Sequence, residues 1–242
     1  MKILDKLCAK AQTPSLEAPV KIAFLGDSVT HGCFEVMDRG ERGADCLYDQ
    51  VAVYHTRLKQ KMAMVFPNRP VSIINAGISG DTARGGANRV ARDVIAVAPD
   101  LVVVCFGLND VMQPAGVEGY IEGLRSIFTQ LKEAEIDVIF MTPNMMCTYV
   151  CDAPDSAWFK EYAPRCTEVQ NNGQMDTFMQ AARDLCAEMG VTLCDCYKDW
   201  KRLESLGADI TFLLSNRVNH PTREMHALFA DRLFDTIVLQ ER

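Results

Sequence analysis

No stretch of this 242-residue sequence is both long and apolar enough to span a bilayer, which takes about 20 consecutive apolar residues. The N-terminal segment lacks the continuous apolar core of a signal peptide, because Asp5, Lys6 and Lys10 interrupt it. Lysine and arginine form no cluster, and the formal net charge is −7. Nucleic-acid binding needs clustered cations against phosphate and is excluded as a primary function. These absences give the expectation of a soluble, unprocessed, cytoplasmic chain. No linker or repeat divides the sequence, so one domain over 1–242 is expected. Hydrophobic residues make up 48% of it, enough for one sizeable core.

Histidine is scarce, with four residues at 31, 55, 220 and 226. Cysteine is not scarce, with ten. Neither Cys147 with Cys151 nor Cys194 with Cys196 has the spacing and second half-site of a zinc centre, so no metal is expected. Cys105 and Cys194 lie in apolar runs and read as small core residues. The cysteines are read as reduced, structural thiols, with one pair in 147–166 as the candidate bridge. Gly77 and Gly80 lack the G-x-G-x-x-G spacing, and no dinucleotide or other cofactor is implied.

Five short, nearly continuous apolar runs are present at 20–25, 71–75, 101–106, 138–141 and 191–194. Such runs suit strands buried on both faces of a parallel sheet. Helical patterns lie between and after them, at 49–66, 84–97, 116–132, 174–189 and 221–239. In 116–132, Val117, Ile121, Leu124, Ile127, Phe128 and Leu131 recur at steps of three and four. The alternation predicts a doubly wound α/β fold. Segment 143–172 breaks the pattern. It holds Pro154 and Pro164 with Tyr149, Trp158, Phe159 and Tyr162, and reads as a lid or substrate-binding loop.

Ligands of open parallel sheets gather at the carboxyl ends of the strands. After the first strand comes Gly26-Asp27-Ser28, and after the second Asn75-Ala76-Gly77-Ile78-Ser79-Gly80-Asp81-Thr82. Gly107-Leu108-Asn109-Asp110 follows the third, and Asn219-His220-Pro221 precedes the last helix. Acyl transfer needs a hydroxyl beside a base, and fixed donors for the oxyanion. Ser28 and His220 supply the pair. The Ser28 and Gly80 N–H groups and the Asn109 amide supply donors.

In these four ordered blocks, which cover most of the chain, the sequence resembles the SGNH (GDSL) hydrolase family of esterases and lipases. The resemblance implies a three-layer, flavodoxin-like α/β/α fold around a five-stranded parallel sheet, with no metal and ester hydrolysis through an acyl-enzyme. It makes Ser28 the nucleophile, His220 the base, and Gly80 and Asn109 oxyanion donors alongside Ser28. The substrate class it suggests is a small carboxylic ester, an acetyl group on a carbohydrate included. A homo-oligomer is compatible with this reading. A ligand-binding relative without catalysis and an acyltransferase are the alternatives.

One position departs from the family pattern. An Asp usually stands three residues before the histidine, and here Arg217 does. Three accounts compete. A backbone carbonyl near 216–218 or the Asn216 side-chain oxygen accepts the imidazole N–H; a carboxylate such as Asp195 or Glu224 reaches in; or the site is inactive. The first is preferred, because a neutral acceptor can still fix the tautomer. Asp27 and Asp110 are read as holding loop N–H groups, and Asn75 as bracing the turn before Gly80. His31 is read as lining the pocket or lying at the surface, His226 as structural or rim, and His55 as solvated. Arg84 is read as a helix-surface charge.

Overall fold

The computed structural model describes residues 2–8, 18–39, 44–151 and 157–240. Its strands are β1 (Val20–Gly26), β2 (Cys33–Asp38), β3 (Ala44–Tyr48), β4 (Val71–Gly77), β5 (Leu101–Cys105), β6 (Asp137–Met141) and β7 (Thr192–Cys194). Its helices are α1 (Lys2–Cys8), α2 (Ser28–His31), α3 (Tyr54–Val65), α4 (Ala83–Asp93), α5 (Gly116–Glu133), α6 (Ala157–Asn171), α7 (Gln174–Met189), α8 (Cys196–Ser205) and α9 (Met225–Phe234).

Five strands form one parallel sheet in the order β4-β1-β5-β6-β7. All five coincide with the apolar runs. Central β5, Leu-Val-Val-Val-Cys, is buried at every residue, as a strand covered on both faces must be. Helices flank the sheet: α4 packs on α5 and α5 on α7, while α3 packs on α9. This is the expected three-layer α/β/α architecture. Among the described residues, no helix is long and apolar enough to cross a membrane.

Several local expectations change. Segment 49–53 is a turn rather than helix, because Asp49 Oδ1 accepts the N–H groups of Val51 and Ala52 at 3.0 and 2.9 Å. The last helix starts at Met225 rather than Pro221, which is held in a bridge to Leu214. Its α-helical part ends at Phe234 and widens into a π-turn, Asp235–Leu239. The loop expected at 143–172 is in part the helix α6, with Phe159, Ala163, Cys166 and Gln170 buried at helical spacing. Residues 152–156 of that loop, with Pro154, lie outside the described residues, as do 1 and 9–17 of the N-terminal segment.

The sequence reading also omitted an antiparallel ribbon, β2 with β3, that stands apart from the main sheet. Cys33 and Cys46 join its strands by a disulfide, with Cα atoms 5.6 Å apart, inside the usual range. The reading of all cysteines as reduced is therefore corrected for this pair. The other eight are free, Cys147, Cys151 and Cys166 included. Cys147 Sγ instead meets Thr167 Oγ1 at 3.2 Å.

Candidate active site

Strand β1 ends at Gly26, and the chain turns at once into the short helix α2. Asp27 caps that helix, its Oδ1 accepting from Val29 N at 3.0 Å. Ser28 is thus the first helical residue, on a sharp strand-to-helix turn. The turn fits under its neighbours because two residues lack side chains. A Cβ on Gly26 would lie 2.1 Å from Thr30 Oγ1, and one on Gly77 would lie 2.3 Å from His31 N.

Ser28 Oγ lies 2.8 Å from His220 Nε2. His220 Nδ1 faces the main-chain carbonyl of Phe34 at 3.2 Å. A carbonyl only accepts, so this contact is a hydrogen bond when Nδ1 carries the proton. Nε2 is then left with a free lone pair toward the Ser28 hydroxyl. Both side chains are buried. Burial lowers the His220 pKa to about 4, against the Phe34 carbonyl and the nearby Glu35 charge, which pull the other way. The imidazole is therefore neutral near pH 7.

Asn216 is not the imidazole's acceptor. Its Oδ1 takes the main-chain N–H groups of Val218, Asn219 and His220, at 3.0, 3.0 and 2.9 Å. It shapes the turn that presents His220, and the acceptor comes from β2 instead. Ser215 Oγ donates to the same Phe34 carbonyl at 2.6 Å. Arg217 has φ +58° and lays its guanidinium over the Phe212 ring, 3.9 Å from its centre. Neither alternative carboxylate serves. Asp195 pairs with Arg183 at 2.9 Å and takes the Thr142 hydroxyl at 3.1 Å, and Glu224 bonds Thr222.

Gly80 sits at φ +80°, where L side chains are strained. Asn109 Nδ2 donates to the Asp81 carbonyl at 2.9 Å, which fixes the amide and leaves its second N–H available. Asp110 Oδ1 accepts from Ala83 N at 2.8 Å, and Asn75 Oδ1 from Gly77 N at 3.0 Å. Both hold turns, as expected. Burial lifts the pKa values of Asp27 and Asp110 to about 7.

Sequence reasoning missed Arg89. This buried guanidinium pairs with Asp81 at 2.7 Å and donates to the carbonyls of Ala76 (2.6 Å) and Gly26 (3.1 Å). It ties the ends of β1 and β4 to the Gly80 turn. Two of its four partners are main-chain carbonyls, which leave no trace in sequence; the others are the carboxylates of Asp81 and Asp93. Arg84 is exposed.

The other histidines stand apart from the Ser28–His220 pair. His31 packs against Tyr48, with ring centres 4.4 Å apart and planes tilted by 49°, and meets Ser79 Oγ at 3.3 Å, at the edge of the site. His226 is buried and accepts from Tyr54 N at 3.1 Å, which makes it structural. His55 is buried rather than solvated, with Nε2 3.2 Å from the Thr30 carbonyl.

Ser28, Gly80, Asn109 and His220 border one cleft of about 310 Å³. Val36 and Cys46 of the ribbon form one wall, and Trp158 and Tyr162 of α6 another. These two rings stack with centres 5.1 Å apart. Among the described residues, none that lines the cleft is Asp, Glu, Lys or Arg. No cluster of three or more metal-ligating side chains occurs among the described residues.

A family model described as GDSL-like lipase/acylhydrolase matches residues 24–228. An acetylxylan esterase of Geobacillus stearothermophilus is 32% identical over 133 residues, which is 51% of this chain and 59% of that relative. The match thus spans a little over half of the relative's length. A solved acetylxylan esterase structure from the same organism superposes with a TM-score of 0.66 at 22% identity, covering 93% of this chain and 97% of that one. A lipase/acylhydrolase from Enterococcus faecalis superposes with a TM-score of 0.66 at 22% identity, over 90% and 95% of the two chains. These superpositions establish likeness of fold.

Proposed function

The chain belongs to the GDSL-like lipase/acylhydrolase family, and from that premise we propose that it is a serine esterase that removes short acyl groups, acetyl foremost, from carbohydrate. The observation that carries the reading is the line from Ser28 Oγ through the His220 ring to the Phe34 carbonyl, at 2.8 and 3.2 Å. Neutral His220 takes the Ser28 proton as Oγ attacks the ester carbonyl. The Ser28 and Gly80 N–H groups and the Asn109 amide hold the oxyanion. The imidazolium then protonates the leaving alcohol. Water, activated by the same imidazole, releases the acid and frees Ser28. The Phe34 carbonyl keeps the proton on Nδ1 throughout.

The substrate class is supported by the acetylxylan esterase relative and by the cleft. A small pocket whose described lining residues carry no ionised side chain suits a neutral ester, and the stacked Trp158 and Tyr162 offer a flat apolar face to a sugar ring. In this reading α6 is the part of the predicted lid that walls the cleft, and the chain acts as one domain.

Hydrolysis of p-nitrophenyl acetate by the purified protein tests the proposal. Wild type is expected to turn over and Ser28→Ala to lose all but background, with fluorophosphonate labelling at Ser28 alone. Equal rates for the two proteins would reject it.

A further inference from the structure

The Phe34 carbonyl is a main-chain group, so no rotamer can carry it to His220. Only the placement of β2 can. That strand lies outside the five-stranded sheet, in a two-stranded ribbon, and such ribbons are marginal alone. Phe34 directly follows Cys33, whose sulfur is bonded to Cys46 on β3. From the other side, Arg223 grips Glu35 through both terminal guanidinium nitrogens, at 2.6 and 3.1 Å, and Asp49 through Nε at 2.9 Å. The orienting carbonyl is thus clamped between an ion pair and a covalent bridge. Cys33 is buried, whereas Cys46 is half-buried and borders the cleft.

We propose that the Cys33–Cys46 bridge is a positioning element for the base: it holds the β2 carbonyl against His220 Nδ1, and opening it by a dithiol slows acyl transfer. This rests on the esterase reading. The exchange begins at the Cys46 sulfur, the one that borders the cleft. A dithiol's thiolate attacks there and expels Cys33 thiolate, forming a mixed disulfide. The dithiol's second thiol then displaces Cys46. The S–S bond is replaced by two cysteine thiols, and the dithiol becomes its cyclic disulfide, having given up two electrons and two protons. Once the ribbon loosens, Nδ1 loses its fixed acceptor. The tautomer protonated at Nε2, which cannot take the Ser28 proton, then gains population. The other eight cysteines are free, so a dithiol has no second bridge to open.

The test measures kcat and KM of the wild-type protein on p-nitrophenyl acetate before reduction, after dithiothreitol, and after reoxidation. Alkylation and peptide mass spectrometry assign the state of Cys33 and Cys46 in each sample. Reduction is expected to lower kcat tenfold or more with KM within about threefold, consistent with the large rate cost of small misplacements, and reoxidation to restore it. Cys33→Ala/Cys46→Ala is expected to match the reduced enzyme and to ignore dithiothreitol. If that variant fails to fold, the wild-type series decides by itself. Unchanged kcat with both cysteines alkylated after reduction would overturn the proposal, as would free thiols at both positions before it. Protein with an intact bridge that hydrolyses no ester would remove the esterase reading and this inference together. Protein that hydrolyses it equally in both states would remove this inference alone.

Discussion

His220 Nδ1 lies 3.2 Å from the carbonyl oxygen of Phe34, a residue 186 positions earlier in the chain. A neutral acceptor thus occupies the place where serine hydrolases usually set a carboxylate. It fixes the tautomer as a carboxylate would. It gives the imidazolium less stabilisation, because only a dipole faces the new charge. The nearest help is Glu35, and that carboxylate is already shared with Arg223.

The first prediction concerns pH. Burial holds His220 at about 4, so the base stays in its neutral, proton-accepting form well below pH 6.5. The kcat/KM for p-nitrophenyl acetate is expected to be level from pH 8 to 5 and to halve near pH 4. An acid limb centred near 6.5 would contradict the buried, neutral imidazole. The same shift affects folding. The unfolded chain takes up this proton at higher pH than the folded one, so this contribution to stability is lost as pH falls from 6.5 toward 4.

Asn216 acts on the base through the backbone. Asn216→Ala removes the acceptor of three N–H groups, and each unsatisfied group costs about 1–3 kcal/mol if it stays buried. A fall in kcat of about tenfold and a lower melting temperature are expected. Asn216→Asp keeps the acceptor and is expected to recover most of the kcat. If Asn216→Asp were as slow as Asn216→Ala, acceptance by Oδ1 would not be what matters.

Asp27 carries a prediction of opposite sign. Its carboxyl is buried, and its Oδ2 has no hydrogen-bond partner among the described residues. Burial raises its pKa from 3.8 to about 7, helped by the charges of Asp110 and Asp81. A raised folded pKa means that this contribution to stability is complete below pH 3.8 and is lost as pH climbs through 7. Asn has no such charge and can still accept from Val29 N. The stability of Asp27→Asn relative to wild type is expected to rise between pH 4 and 8, by at most about 4 kcal/mol, and then level off. Denaturant titrations at several pH values check this, and a pH-independent difference would exclude the raised pKa.

The proposed function gives Trp158 a role in sugar binding and none in the chemistry. Trp158→Ala is expected to raise KM for an acetylated xylo-oligosaccharide about tenfold, a loss of about 1.4 kcal/mol. Its kcat on p-nitrophenyl acetate is expected to stay within about twofold of wild type. Equal losses on both substrates would place Trp158 in support of Ser28 or His220 rather than against a sugar.

The sheet was legible in the sequence because a strand buried on both faces is apolar at every position, as Leu101 to Cys105 shows. The residues at the strand ends were legible for a similar reason: they stand out as polar and small after each such run. The ribbon was not, since spacing alone does not announce the bridge between Cys33 and Cys46 that joins its strands. Helix α6 was hidden by Pro164, although Phe159, Ala163 and Cys166 already kept helical register. The partner of His220 was beyond reach in principle. A carbonyl belongs to every residue, so its use at Phe34 marks the sequence in no way.

Ser28 and His220 are separated by 192 residues. During synthesis Ser28, the proposed nucleophile, therefore emerges before four of the five strands of the parallel sheet, and His220, its proposed base, only after all five have been made. On the proposed mechanism, a ribosome-bound chain in which His220 is not yet exposed carries an ordinary serine with no base beside it. In the proposed reading, no acylating pair exists until the segment from Ser215 to Arg223 meets the ribbon and brings the imidazole to the hydroxyl.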